Sequence, residues 1–259
     1  MTAPRSLDRP LSAAVWHAAI ESLASESRPV AVTRRLQQAI ALGLIPDGSA
    51  LPSESDFATQ LNVSTVTLRS SLAELRRQGL IVTRRGRGGG SFVRVPQDSD
   101  ASILREQLAE WNIDEIRDLR DFHLAVAGSS AALSAERVRG RTLDRLRMAA
   151  ETVNDATNCA QALRADFRFH LELAASTRSA HITRAEMSIQ SDLAPLLWIP
   201  GMESQSQATA CAQHLAIVDA IVAGDPEQAR RAAEKHVHDA LSNLIDLRMR
   251  LTVTGDTDG

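Results

Sequence analysis

Tyrosine is absent from this chain, and aromatic residues make up only 3% of its 259 positions. Its core must therefore be built mainly from Ala, Leu, Ile and Val. Together with abundant Arg, that composition suits helices. Cysteine occurs only twice, at Cys159 and Cys211, too far apart to suggest a metal or redox motif. Both read as buried free thiols in a reducing cytoplasm. No apolar run reaches about 18 residues, so no membrane span is expected. The N-terminus shows no basic segment leading into an apolar stretch, so no signal peptide is expected either. Lysine occurs once, at Lys235. Positive charge is thus carried by arginine, a bias that reads as codon usage rather than recognition.

The formal charge of −3 hides an asymmetry. Residues 1–96 carry 12 Arg and 7 acidic groups, a net of +5, and residues 97–259 carry a net of −8. A basic first third joined to an acidic remainder fits a nucleic-acid-binding module attached to something that is not one. The basic third contains LPSESDFATQLNVSTVTLRSSLAELRRQGLIVTRRGRGGGSF, residues 51–92. Ser53 is placed to cap a helix over 54–61, Asn62 ends it, and Ser64 caps a second helix over 65–78. Runs at 80–83 and 91–95 flank an Arg/Gly tip and read as a hairpin. A preceding helix is expected over 30–42, closed by Gly43. Helix, helix, strand, tip and strand make a winged helix-turn-helix, which grips duplex DNA. Ser64, Thr65, Thr67 and Arg69 would face the major groove, where Arg can pair bidentately with guanine. Val66, Leu68, Leu72 and Leu75 would carry the apolar load, at least partly inward. The tip, with Arg84, Arg85, Arg87 and Gly88, combines charge with backbone freedom suited to a minor groove or phosphates.

Residues 1–28 form an N-terminal extension with a weak helical pattern at Leu11, Val15, Ile20 and Leu23. The DNA-binding domain is set at 29–95, a linker at 96–101, a helical domain at 102–252 and a disordered tail at 253–259. Helical periodicity recurs over 112–137, 141–157, 160–176, 179–198, 205–223 and 226–252, with a possible seventh segment at 102–110. The fold class is thus mainly α: a winged head and a bundle of six or seven helices. Asp166 and His170 sit one turn apart on one helix face. His214 and His236 fall on the apolar stripes of two later helices, and His238 falls off its stripe. Three imidazoles and a carboxylate converging in a bundle can hold a divalent metal. Each His taken singly is more often a satisfied core or surface residue.

Two resemblances sharpen this. Residues 30–95 resemble the DNA-binding domain of the GntR superfamily of bacterial transcription regulators. The pattern G-x-x-x-x-G-x-x-L-P-S-E is matched by Gly43, Gly48, Leu51, Pro52, Ser53 and Glu54. The pattern V-S-R-x-x-V-R-x-A-L-x-x-L-x-x-x-G is matched by Val63, Ser64, Arg69, Leu72, Leu75 and Gly79. Ser55 and Thr65 stand where the family often has arginine, so base reading must lean on Arg69 and the tip. Residues 102–252 resemble the FCD ligand-binding domain of FadR-type members. Asp166, Phe169 and His170 match its D-x-x-F-H, and the run from His214 through Gly224 and Asp225 to His236 matches its second signature. The resemblance implies a divalent metal held by Asp166, His170, His214 and His236, with zinc first and nickel, manganese or iron as alternatives. It also implies a small carboxylate effector shared between the metal and a helix arginine, here Arg120, with Ala127, Ala131 and Ala132 in phase behind it. His123 and Leu124 replace the usual Leu-Glu pair. Asn154 is a weaker pocket candidate, and for Arg120 a surface ion pair with Asp121 or Glu115 stays open.

The expectation is a cytoplasmic homodimeric regulator, a repressor by resemblance, bound to a palindromic double-stranded operator and released by a small acid. Two alternatives stand beside it. In one the metal ion is itself the signal. In the other the chain is a metal-dependent hydrolase or isomerase with a DNA-binding head, although no carboxylate is placed as a clear general base and Glu172 points elsewhere on its helix.

Overall fold

A computed structural model describes residues 29–84, 86, 89–94, 101–201, 203 and 206–255. The N-terminal extension, Arg85, Arg87, Gly88, positions 95–100 of the linker region and residues 256–259 lie outside the described residues. The chain divides into two compact units, with the boundary at residues 98 and 99.

The first unit opens with α1 (Pro29–Ala41). Two short helices follow, α2 (Glu54–Gln60) and α3 (Thr65–Arg77), then the strands β1 (Ile81–Arg84) and β2 (Gly90–Val93). Both helix starts are set by serine. Ser53 Oγ accepts from the Asp56 amide at 3.2 Å, and Ser64 Oγ accepts from the Thr67 amide at 3.0 Å. Each cap satisfies an amide that the first turn leaves without a helical partner. Asn62 makes the turn between α2 and α3 in the left-handed region, at φ +52°, which asparagine tolerates better than most side chains. The strands pair antiparallel with Ile81 opposite Val93 and Arg84 opposite Gly90. Leu36, Ile40, Phe57, Leu61, Leu68, Leu72, Leu75, Ile81 and Val93 fill the core of the unit. Ser71 Oγ, on the inner face of α3, donates to the Pro29 carbonyl and ties α3 to the start of α1.

Val66 departs from expectation. It is 70% exposed, whereas Leu68, Leu72 and Leu75 are buried. At about 100° per residue, position 66 lies roughly 200° around the helix from Leu68 and so on the opposite face.

The second unit is all α: α4 (Ala101–Glu110), α5 (Ile113–Arg137), α6 (Arg141–Thr152), α7 (Cys159–Ser176), α8 (Ala180–Leu197), α9 (Gln207–Ala223) and α10 (Pro226–Gly255). Asn112 and Glu115 form a reciprocal capping box at the head of α5. Gly224, at φ +68°, closes α9, and Pro226 opens α10, a placement that costs no helical hydrogen bond. The helix expected over 141–157 stops at Thr152 and tightens into a 3-10 turn, Val153–Asp155. Asn158 then caps α7 by accepting from the Gln161 amide. Ala101 belongs to α4 rather than to the linker, and α10 continues through residues 253–255, beyond its expected end. The core is rich in alanine, with Ala127, Ala131, Ala135, Ala162, Ala165, Ala229 and Ala233 all buried. Small side chains let α5 and α10 approach closely. A Cβ on Gly128 would meet the Glu234 carboxylate at 2.6 Å. Among the described residues no helix is long and apolar enough to cross a membrane.

Candidate functional site

Four helix positions converge inside the second unit. Asp166 and His170 come from α7, His214 from α9 and His236 from α10, and all four are buried. One donor atom from each lies within 4.8 Å of the other three. His170 Nε2 is 3.1 Å from His236 Nε2, and His214 Nε2 is 3.3 Å from the same atom. His214 Nε2 is also 3.3 Å from Asp166 Oδ1. Two nitrogens bound to one zinc at about 2.0–2.1 Å stand about 3.0–3.4 Å apart, so these separations are those of edges in a coordination shell.

Hydrogen-bond accounting points the same way. Gln213 Nε2 donates to Asp239 Oδ2 at 2.9 Å, which turns Gln213 Oε1 toward His236 Nδ1 at 2.8 Å. An amide oxygen only accepts, so the His236 proton sits on Nδ1 and its Nε2 carries a lone pair. A lone pair accepts one hydrogen bond, yet two imidazole nitrogens approach it. Asp166 Oδ1 and His214 Nδ1 have no hydrogen-bond partner among the described residues. Buried polar atoms left in this state cost about 1–3 kcal/mol each, and a cation at the convergence point relieves the lone-pair crowding and serves Asp166 Oδ1.

Burial is the largest influence on all three imidazoles and pushes each down to about 3. They are therefore neutral at pH 7, the form that ligates a metal. The surrounding contacts hold the donors in place. Trp198 Nε1 donates to Asp166 Oδ2 at 3.3 Å, and Phe169 stacks on His214 with ring centroids 3.9 Å apart.

A second buried group adjoins the first. His123 on α5, His170 and Glu186 on α8 bring donor atoms within 4.8 Å of one another. His123 Nε2 and Gln190 Nε2 both donate to Glu186 Oε1, at 3.1 and 2.9 Å. His170 Nδ1 faces the same oxygen at 3.7 Å. Burial works to raise the Glu186 pKa, but His123, His170 and Gln190 together hold it below the ordinary carboxylate value. The carboxylate thus stands behind His170, on the side away from Nε2.

The other expected pocket residues have these surroundings. Arg120 donates from Nε and Nη2 to its neighbour Asp121 at 3.2 and 3.1 Å, the ion pair left open by the sequence. Asn154 is exposed on the 3-10 turn, because the helix that would have aimed it inward ends at Thr152. Glu172 is buried but belongs to neither group.

On the first unit, Thr65 and Arg69 are exposed on the outer face of α3, and Thr67 is half-buried. Arg69 Nε is held by Glu54 Oε2 at 2.6 Å. The hydroxyls of Ser53 and Ser64 are occupied as helix caps. Arg84 lies over the Phe92 ring, 4.5 Å from its centroid, a cation–π contact that steadies the base of the wing.

Residues 30–91 match the gntR family of bacterial regulatory proteins, and residues 118–239 match the FCD domain. The chain is 36% identical over 232 residues to RmpR of Mycobacterium gastri, named as an HTH-type transcriptional regulator, covering 89% of this chain and 85% of the relative. The chain belongs to the GntR family. It is 30% identical over 203 residues to a protein of Escherichia coli K12 named as regulating an L-lactate dehydrogenase operon, covering 73% of this chain and 76% of that one. It is 28% identical over 219 residues to NanR of Cronobacter sakazakii, named as a transcriptional repressor, covering 80% of this chain and 81% of that one. This GntR protein is therefore a DNA-binding transcription regulator with an FCD effector domain, not an enzyme.

Sequence reading missed Glu186, Gln190 and Trp198, and registered His123 only as a departure from a family pattern. A signal for His123 existed: it shares a face with Ala127 and Ala131 at i, i+4 and i+8. Glu186 and Gln190 repeat at i, i+4 among Met187, Ile189 and Leu193, an unusual place for two polar groups.

Proposed function

We propose that this regulator is a cytoplasmic, homodimeric repressor of a palindromic operator, controlled by a small carboxylate that binds beside a divalent metal in the helical unit. Asp166, His170, His214 and His236 would hold the metal, with zinc first and nickel, manganese or iron as alternatives. The observation that carries the reading is the approach of two imidazole nitrogens to the single lone pair of His236 Nε2. A bound divalent ion supplies a Lewis-acidic position for an anionic oxygen. The chain's own part is to keep three imidazoles neutral, fix the His236 tautomer through Gln213, and seat Asp166 against Trp198.

A carboxylate effector is supported by the L-lactate dehydrogenase operon named for the Escherichia coli relative, and repression by the name of NanR. Ser64, Thr65, Thr67, Arg69 and the wing arginines would make the DNA contacts, with Arg120 closing on the effector. The effector acts only if it binds one arrangement of the two DNA-binding heads better than the other.

One observation favours a second reading, in which the metal is itself the signal: the Arg120 guanidinium is engaged by Asp121. Operator affinity measured against zinc, with and without a panel of small hydroxy and keto acids, separates the two. The carboxylate reading expects affinity to fall when an acid joins the metal-loaded protein. A strong response to metal that no acid alters sinks it and leaves the second.

A further inference from the structure

The outer face of α3 carries a side chain that the isolated fold does not use. Leu68, Ser71, Leu72 and Leu75 face inward and are buried. Val66, Arg69, Ser70 and Ala73 form the opposite stripe, all exposed. Within that stripe Val66 is 70% exposed. It contributes nothing to the core of its unit, and a β-branched residue is a poorer helix former than alanine. An apolar branch displayed there gains nothing until something covers it.

What lies around it indicates the cover. Val66 is the second residue of a helix whose first turn presents the Ser64 and Thr67 hydroxyls, joined to each other at 2.8 Å. One turn further on, Arg69 is steadied by Glu54 through Nε at 2.6 Å. Hydroxyls, an aimed guanidinium and an exposed aliphatic group on the N-terminal turn of one helix are the groups that read base edges in a major groove. In that groove the apolar feature of an unmodified base pair is the thymine 5-methyl group.

We infer that Val66 is a specificity-determining residue that packs its isopropyl group against the 5-methyl of a thymine in the operator. The inference rests on the operator-binding reading of the first unit. It also fixes a spacing. Residues 66 and 69 are about 4.5 Å apart along the helix axis, and successive bases on a strand rise about 3.4 Å. The thymine therefore lies one or two base pairs from the guanine that Arg69 grips.

The experiment starts from the binding site that the full-length protein enriches from a random-sequence duplex pool. Each thymine in that site is replaced singly by deoxyuridine, which removes the methyl and leaves every hydrogen-bonding group in place. Wild-type protein is expected to lose about fourfold in affinity at one thymine per half-site, the effect of one buried methyl. Val66→Ala is expected to bind thymine and uracil forms equally there. Val66→Thr, which keeps the branch and one methyl, is expected to retain part of the penalty and guards against a folding defect in the alanine variant. A site at which no uracil penalty depends on residue 66 overturns the inference while operator binding stands. So does a Val66→Ala protein whose subunit association changes and whose base preference does not. A chain that enriches no sequence at all removes the operator reading, and this inference with it.

Discussion

The two units of this regulator use polar side chains in opposite ways. On α3 the groups proposed to meet DNA are exposed: Thr65 and Arg69 project into solvent, and Arg69 is steadied by one contact to Glu54. In the helical unit Asp166, His170, His214, His236, His123 and Glu186 are buried, and Asp166 Oδ1, Glu186 Oε2 and His214 Nδ1 have no hydrogen-bond partner among the described residues. An exposed group satisfies itself with water and waits for its target at little cost. A buried one carries a standing penalty until its guest arrives. Removing a group at the head should therefore leave the stability of the free protein nearly unchanged, whereas removing one in the core should change it; a ligand that binds only the native state stabilises it at either place by mass action.

The largest effect expected lies at the head. Arg69→Ala should weaken operator binding by about 1–3 kcal/mol per half-site while circular dichroism and metal content stay as in wild type. Unchanged affinity would remove α3 from its role in base reading, and a change in metal content would break the separation between the two units. Next comes the support behind His170. Glu186→Gln keeps the size of the side chain but replaces the carboxylate facing His170 Nδ1. Groups that orient a metal ligand in this way are worth about tenfold to hundredfold in metal affinity, so a competing chelator should strip zinc from the variant at correspondingly lower concentration. Equal resistance to the chelator would reduce Glu186 to a packing residue.

A third contrast is a pH dependence confined to the core. His170, His214 and His236 are held near 3 when folded, against about 6.5 when unfolded. Between those values the unfolded chain binds more protons than the native one. Stability is therefore full above about pH 6.5 and is lost as pH falls through that window. In metal-free protein the melting temperature of the helical unit should drop steadily from pH 7 to pH 4. A flat profile would mean that the imidazoles are not buried and neutral.

The contrast also explains what could be read from sequence. In the head, Ser53, Ser64 and Asn62 mark the helix boundaries by local chemistry, and the expected limits agree with α2 and α3 to within a residue. Val66 was misplaced because apolar character alone was read, without its phase relative to Leu68. In the helical unit spacing and apolar stripes marked the four converging residues as candidates, and it was the FCD resemblance that joined them into one set on α7, α9 and α10. The His123–Glu186–Gln190 group was not. Its members lie on α5 and α8, some 60 residues apart, and only the packing of the bundle makes them neighbours. The break at Thr152, which leaves Asn154 exposed, was hidden because residues 153–157 continue an acceptable helical composition until Asn158 caps the next helix.

The central claim is that the buried imidazoles and Asp166 form a site for one divalent ion. Its most direct test is metal content per chain, measured by elemental analysis after equilibration with zinc at pH 7.5 and gel filtration, for wild type and His214→Ala side by side. One zinc per wild-type chain and a far smaller content in the variant is the expected result. Wild-type protein that retains no metal, or a variant that retains as much as wild type, would contradict it.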